Sequence, residues 1–344
     1  MNAPAGIRYL IDSPPPPGVL LDVAPGVRWL RMPLPFSLDH INLWLIDEGD
    51  RVAIVDCGIA DEGTRQLWQA LFDGPLRGRE VSRVIVTHFH PDHIGNAAWL
   101  CERAGVMMHV AQAEYLLAHA TCAQVAGYTD VALREFFRGH GLDDSRSDAL
   151  LEAPGSSYRR MVPDVPTHYR RIIEGEPIAL GSDLWCPIRG DGHSPEHMML
   201  HRQADRVLIA GDMVLPRIST NVSVHASQPD SDPLGDFLRS LERYRVLDPE
   251  TLVLPSHGLP FRGLHVRIDA LQAHHTARLD ELTQACGTAH TAAELMSTLF
   301  RRPLDGHQIW FAIGETLAHL NHLVHGGRVV RVLDGDGITR FVRV

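Results

Sequence analysis

Four side chains able to hold a metal ion, His88, His90, Asp92 and His93, crowd into six consecutive residues of the segment Thr87-His88-Phe89-His90-Pro91-Asp92-His93. They follow Ser82 to Val86, an apolar run with the length of a buried strand. In extended backbone, residues two apart project to the same side, so His88 and His90 can grip one ion. Pro91 then turns the chain, and a helix is expected to begin near Asp92, which re-aims Asp92 and His93 towards a second ion. Imidazole with carboxylate suits zinc and also iron or manganese. A lone histidine at a strand end is ordinarily a surface or core residue, and the chain has 21 histidines. The spacing, directly after an apolar strand, sets these apart.

A four-ligand segment cannot complete two sites, so further ligands are expected at later strand ends. His193 lies in Gly190-Asp191-Gly192-His193-Ser194, after a strand ending at Ile188. Asp212 follows the apolar run Val207 to Ala210, and His257 follows Leu252-Val253-Leu254 in Pro255-Ser256-His257-Gly258. Each sits close to a glycine, which permits close backbone approach. With this HxHxDH segment and a later His, Asp and His in the same order, the sequence resembles the metallo-β-lactamase superfamily from about Val27 to Phe261. That resemblance implies an α/β fold, the four-layer αββα sandwich. It also implies two divalent ions, zinc or alternatively iron or manganese. One would sit on His88, His90 and His193 and the other on Asp92, His93 and His257, with Asp212 bridging both in the glyoxalase II manner. Two ions about 3.5–4 Å apart hold a water between them and lower its pKa to near 7. Asp92 and Asp212 are therefore the candidate catalytic carboxylates. Asp56, in Val55-Asp56-Cys57-Gly58, is a candidate acceptor for a ligand imidazole, with a turn-capping carboxylate as the alternative.

Short apolar runs from Val27 to Asp56 read as strands, Asp61 to Phe72 as an amphipathic helix, and Asn96 to Ala104 as another helix. The stretch 111–170 reads as a helical insertion over the active-site face. Residues 1–26, with Pro14 to Pro17, form a lead-in, and 27–262 the catalytic domain. From 263 to 344 the pattern is three helices, a capping box at Thr291-Ala292-Ala293-Glu294, and a hairpin about Asp334-Gly335-Asp336-Gly337. That order spells a winged-helix module. It resembles the extension of the branch that includes lactamase-like protein 2, a ribonuclease.

Composition narrows the chemistry. All 32 basic residues are Arg and none is Lys. This excludes a Schiff-base lysine, a phosphate-loop lysine and a Ser-Lys pair, and it points to a GC-rich, bacterial coding sequence. Five scattered cysteines without a CxxC spacing fit reduced core thiols and exclude a cysteine-rich zinc finger. With no apolar run of membrane-spanning length and no secretory pattern, the expected location is cytoplasmic, away from any membrane. A net charge of −10 disfavours a nucleic-acid partner, and so does the tail, where, counted from Arg262, nine Arg meet eight acidic residues. The tail is read instead as a packing or dimerisation module, giving a homodimer, that also walls the active site.

The expected activity is hydrolysis of a small-molecule acyl substrate, a thioester or a lactone or ester. An endoribonuclease or phosphodiesterase acting on single-stranded RNA is the alternative. A β-lactamase or a non-catalytic binding protein ranks below both. Arg217 and His225, in the loop after Asp212, and Tyr158, Met161 and Tyr169, in the insertion, are candidate substrate contacts. His197 is expected on a strand in a structural role.

Overall fold

The computed structural model describes residues 6–152 and 157–344. Several strands read as near-continuous apolar runs because both of their faces are covered. In His40–Glu48, Leu43 and Leu45 join one apolar cluster while Trp44 and Ile46 join another. In Val207–Gly211, Leu208 and Ala210 face outwards and Val207 and Ile209 inwards. The inner cluster is shared by two sheets: Trp29, Trp44 and Val55 come from one, Trp185, Leu200 and Leu254 from the other.

The first sheet runs, edge to edge, Leu20–Ala24, Val27–Pro33, His40–Glu48, Arg51–Val55, Glu80–Ile85, Met108–Val110 and Tyr169–Arg171. The second runs Arg8–Tyr9, Phe261–Arg262, Leu252–Pro255, Val207–Gly211, His197–Arg202, Asp183–Gly190 and Ile178–Leu180. Helices Glu62–Asp73 and Ala97–Ala104 cover the outer face of the first sheet through Trp68, Leu71 and Leu100. Helix Pro233–Arg243 covers the second through Leu234, Phe237 and Leu241. These four layers are the expected αββα sandwich.

Two parallel pairs place the chemistry. Arg51–Val55 lies beside Glu80–Ile85, and Val207–Gly211 beside Leu252–Pro255. Each pair is joined through one of the outer helices, so its members finish at the same edge, where α/β sheets present ligand-binding loops. Asp56, Thr87, Asp212 and Ser256 each follow such an end.

The lead-in takes part in the sheets. Leu20–Ala24 edges the first and Arg8–Tyr9 pairs with Phe261–Arg262 at the edge of the second. Strands this short carry too little periodicity to be read ahead, and the same holds for Met108–Val110 and Ile178–Leu180. Within the insertion the chain forms helices Gln112–Cys122, Asp130–Gly139, Asp144–Glu152 and Tyr158–Met161.

After Gly263 come helices Leu264–Ala285, Ala292–Leu299 and Gly306–His325 and the hairpin Val329–Leu333/Thr339–Arg343. Thr291 and Glu294 form the capping box. Leu271, Leu295, Ile313 and Leu317 of these helices share one apolar cluster with Met199, Leu208 and Val253 of the second sheet. Among the described residues no helix is long and apolar enough to cross a membrane.

Trp44 is fully buried between the sheets and stacks on Trp29 at 6.1 Å. Trp44→Ala is expected to cost roughly 3–5 kcal/mol in denaturant unfolding. A loss under about 1 kcal/mol would contradict an inter-sheet core built on these rings.

Candidate metal centre

Each loop with a candidate ligand leaves the finishing end of a strand. Arg51–Val55 gives way to Asp56, a non-glycine residue at φ +61°, sparsely populated backbone of the kind that gathers at active sites. The Asp56 carboxylate accepts from the Thr87 N–H at 2.8 Å and, through its other oxygen, from His93 Nδ1 at 2.8 Å. Thr87 Oγ1 donates to the same carboxylate at 2.9 Å and accepts from His88 Nδ1 at 3.0 Å. At Gly211, a Cβ would stand 2.3 Å from His197 Nε2. Glycine there lets the imidazole reach in and accept the Asp212 backbone N–H at 3.1 Å.

Ligand atoms of His88, His90, His193 and Asp212 lie within 4.8 Å of one another, as do those of Asp92, His93 and His257. In the first group, His88 Nε2 is 2.9 Å from His90 Nδ1 and 3.2 Å from His193 Nε2. In the second, His93 Nε2 and His257 Nε2 are 3.8 and 3.5 Å from Asp92 Oδ2. Asp212 joins the groups. Its Oδ2 is 3.3 Å from His193 Nε2, and its Oδ1 is 3.5 Å from Nε2 of both His93 and His257. All seven sequence candidates are brought to one place.

His193 Nδ1 donates to the Asn221 carbonyl at 2.6 Å and His257 Nδ1 to the His40 carbonyl at 2.8 Å. Four imidazoles (His88, His93, His193 and His257) therefore commit their Nδ1 proton to an outer acceptor. The hydrogen-bond network thus assigns the tautomer and leaves Nε2 bare towards the centre. Burial, and then the neighbouring imidazoles, hold His88 and His90 well below the usual histidine range. They stay neutral, as ligation requires.

Glu114, in the first turn of Gln112–Cys122, escapes sequence reasoning, because a lone carboxylate there looks like an ordinary helix-start charge. It is fully buried and ties two ligand loops together. Its Oε2 accepts the Phe89 N–H at 2.9 Å, and its Oε1 accepts Ser194 Oγ at 2.8 Å and the Glu196 N–H at 2.7 Å. Burial pushes its carboxyl up to about 7 against the pull of those hydrogen bonds. His40 and Asn221 also have no sequence signal, since each acts through its backbone carbonyl.

The remaining candidates separate. His225 sits half buried near His90 and His193, its imidazole lowered to about 4 by burial and then by His193. Tyr158 turns its hydroxyl to the Phe89 carbonyl at 2.7 Å, so it supports the histidine loop. Met161 lines a small apolar pocket with Pro35, Phe36 and Ile59. Arg217 is exposed, near Tyr9, and makes no ion pair among the described residues. Tyr169 is not brought to the centre. It stacks on Tyr115 at 3.9 Å and packs against the apolar cluster on the outer face of the first sheet. His197 is buried on its strand and stacks on His88 at 4.7 Å.

The model of the metallo-beta-lactamase superfamily matches residues 37–257. The chain belongs to that superfamily. A second model, of the metallo-beta-lactamase-like C-terminal domain, matches residues 279–344. A beta-lactamase domain protein of known structure from Burkholderia ambifaria superposes with a TM-score of 0.90 at 48% identity, over 98% of each chain. The probable metallo-hydrolase YqjP of Bacillus subtilis is 25% identical across 90% of this chain and 95% of its own. The acyl-coenzyme A thioesterase MBLAC2 of Gallus gallus is 26% identical across 55% of this chain and 63% of its own. This metallo-β-lactamase-fold chain is a hydrolase with a His/Asp cluster able to hold metal.

Glu114→Ala would leave three donors at the ligand loops without their acceptor, and unfolding stability is expected to fall by roughly 3 kcal/mol. Glu114→Gln, which keeps one acceptor oxygen, should fall between the two in a urea titration. Equal stability of all three proteins would remove Glu114 from this role.

Proposed function

We propose that this chain is a dinuclear metal-dependent hydrolase that cleaves a small acyl substrate, a thioester or an ester. The observation that carries the reading is the split Asp212 carboxylate, with one oxygen at each histidine group. The residues fit divalent cations, zinc first among them. His93 Nε2 and Asp212 Oδ1 are buried without a hydrogen-bond partner, which is costly unless a cation answers them. His88, His90 and His193 would hold one ion, Asp92, His93 and His257 the other, and Asp212 both. When bound, such a pair lowers the pKa of a shared water to near 7 and polarises the bond under attack.

The chain's own groups do the rest. Asp92 is less buried than its histidine partners and can accept a proton from the attacking water while orienting it. His225, held neutral near the His193 side, is placed to donate a hydrogen bond to an oxygen that gains charge. The acyl preference rests on the similarity to a thioesterase and on the acidic, lysine-free surface, which suits a small substrate better than a polyphosphate chain. The tail, three helices and a hairpin, we read as a winged-helix-like packing module.

Metal analysis of the purified protein is expected to give about two ions per chain, and a metal-free active protein would sink the reading. On a panel of acyl-CoA and acyl-glutathione thioesters, lactones, aryl phosphodiesters and single-stranded RNA, thioester or ester cleavage is expected. Cleavage of RNA alone would overturn the acyl assignment. Asp212→Ala should lower turnover at least ~100-fold and reduce metal content together.

A further inference from the structure

The segment from Asp212 to Asp232 contains no helix or strand, yet it holds the bridging carboxylate, the Asn221 carbonyl that receives His193 Nδ1, and His225. A loop of this length keeps one shape only if something outside it satisfies its backbone and buries its apolar residues. The C-terminal helices do both. Val214, Val222 and Val224 lie in the apolar cluster formed with Leu271, Ile313 and Leu317. Arg267, on Leu264–Ala285 and only 2% exposed, donates through Nε to the Leu215 carbonyl and through Nη2 to the Ile218 carbonyl. Thr220 Oγ1, between that clamp and Asn221, donates to the Asp212 carbonyl at 2.6 Å.

Helix Gly306–His325 holds the next stretch. The Val224 N–H donates to the Gly314 carbonyl at 3.1 Å, and a Cβ at Gly314 would stand 2.7 Å from Ser223 Oγ, so glycine permits this approach. Asn221 Nδ2 donates to Glu315 Oε2 at 3.4 Å while Asn221 Oδ1 accepts from Ser223 Oγ at 2.8 Å. Further along, Asn321 Nδ2 donates to the carbonyls of Pro229 and Ser231 at 2.9 and 2.8 Å.

We propose that the C-terminal helices are a working part of the metal centre, with Arg267 and Glu315 as positioning residues. Arg267 sets the turn after Asp212, and Glu315 sets Asn221 and through it the ring of His193. The inference rests on the metal reading above, and it makes metal affinity a property of residues that touch no ligand.

The test compares the full-length native protein with Arg267→Met, Glu315→Leu and Glu315→Gln by cobalt(II) titration and by hydrogen exchange of the metal-free proteins. Arg267→Met and Glu315→Leu should weaken cobalt binding roughly 10–100-fold and alter its visible spectrum, the usual effect of removing an outer partner of a metal ligand. Glu315→Gln should restore native behaviour, because its amide oxygen still accepts from Asn221. Exchange across residues 213–225 should quicken in the two disrupting variants while the strands of both sheets keep their protection, which separates this effect from misfolding. Native cobalt affinity and native exchange in Arg267→Met and Glu315→Leu would overturn the proposal. If the native protein takes up no cobalt, the metal reading falls, and exchange across 213–225 still decides whether these residues hold the loop.

Discussion

At Asp212 the two oxygens of one carboxylate face different groups, one 3.3 Å from His193 Nε2, the other 3.5 Å from Nε2 of His93 and His257. Around them, the bare Nε2 atoms of His88 and His193 face each other across 3.2 Å, and both side chains are buried. Lone pairs so arranged repel unless a cation lies among them, and the repulsion is strong where water cannot screen it. The geometry survives because every part of it is tied to something rigid. Asp56 and Thr87 take the outer protons of His93 and His88, the Asn221 and His40 carbonyls those of His193 and His257, and His197 the backbone N–H of Asp212.

The sandwich supplies that rigidity. Strands buried on both faces cannot slide by one residue without turning an apolar row out of its cluster, so their ends are fixed points. Asp56, Thr87, Asp212 and His257 all hang from ends of the two parallel pairs. Glu114 then crosses between loops of different sheets, binding Phe89 on one side and Ser194 and Glu196 on the other. Its carboxyl resists ionisation because of burial, yet each of its three hydrogen bonds favours the ionised form. A group balanced in this way gives a stiff joint while its partners stay in place, since losing one leaves a buried polar atom unanswered.

The long loop from Asp212 is the least regular part of the centre, and it is where the third element of the fold, the C-terminal helices, makes its contribution. Among the described residues, their apolar side chains form one cluster with those of the second sheet. Arg267 and Gly314 reach the loop's backbone directly. The tail and the catalytic sheets are thus packed as one body around a segment that could not hold its own shape.

Much of the centre was legible beforehand because ligand chemistry needs particular side chains, and the strand-then-glycine context marks where they leave the sheet. His88, His90, Asp92 and His93 announced themselves by spacing, and His193, Asp212 and His257 by their position after apolar runs. What stayed hidden acts through atoms that every residue has, as with the carbonyls of His40 and Asn221, or through a side chain of ordinary appearance, as with Glu114. Tyr169 read as a substrate contact because nearness in sequence to a helical insertion says nothing about which face of a sheet a ring packs on. The two strands of the lead-in were invisible because they are short and half exposed, and Arg8–Tyr9 pairs only with residues far along the chain. The sequence alone determined which groups could bind metal and that they sit at strand ends, since both are matters of local chemistry and period. Only the tertiary structure decided which outer atoms orient them and that the tail holds the Asp212 loop, because those contacts join residues tens to hundreds of positions apart.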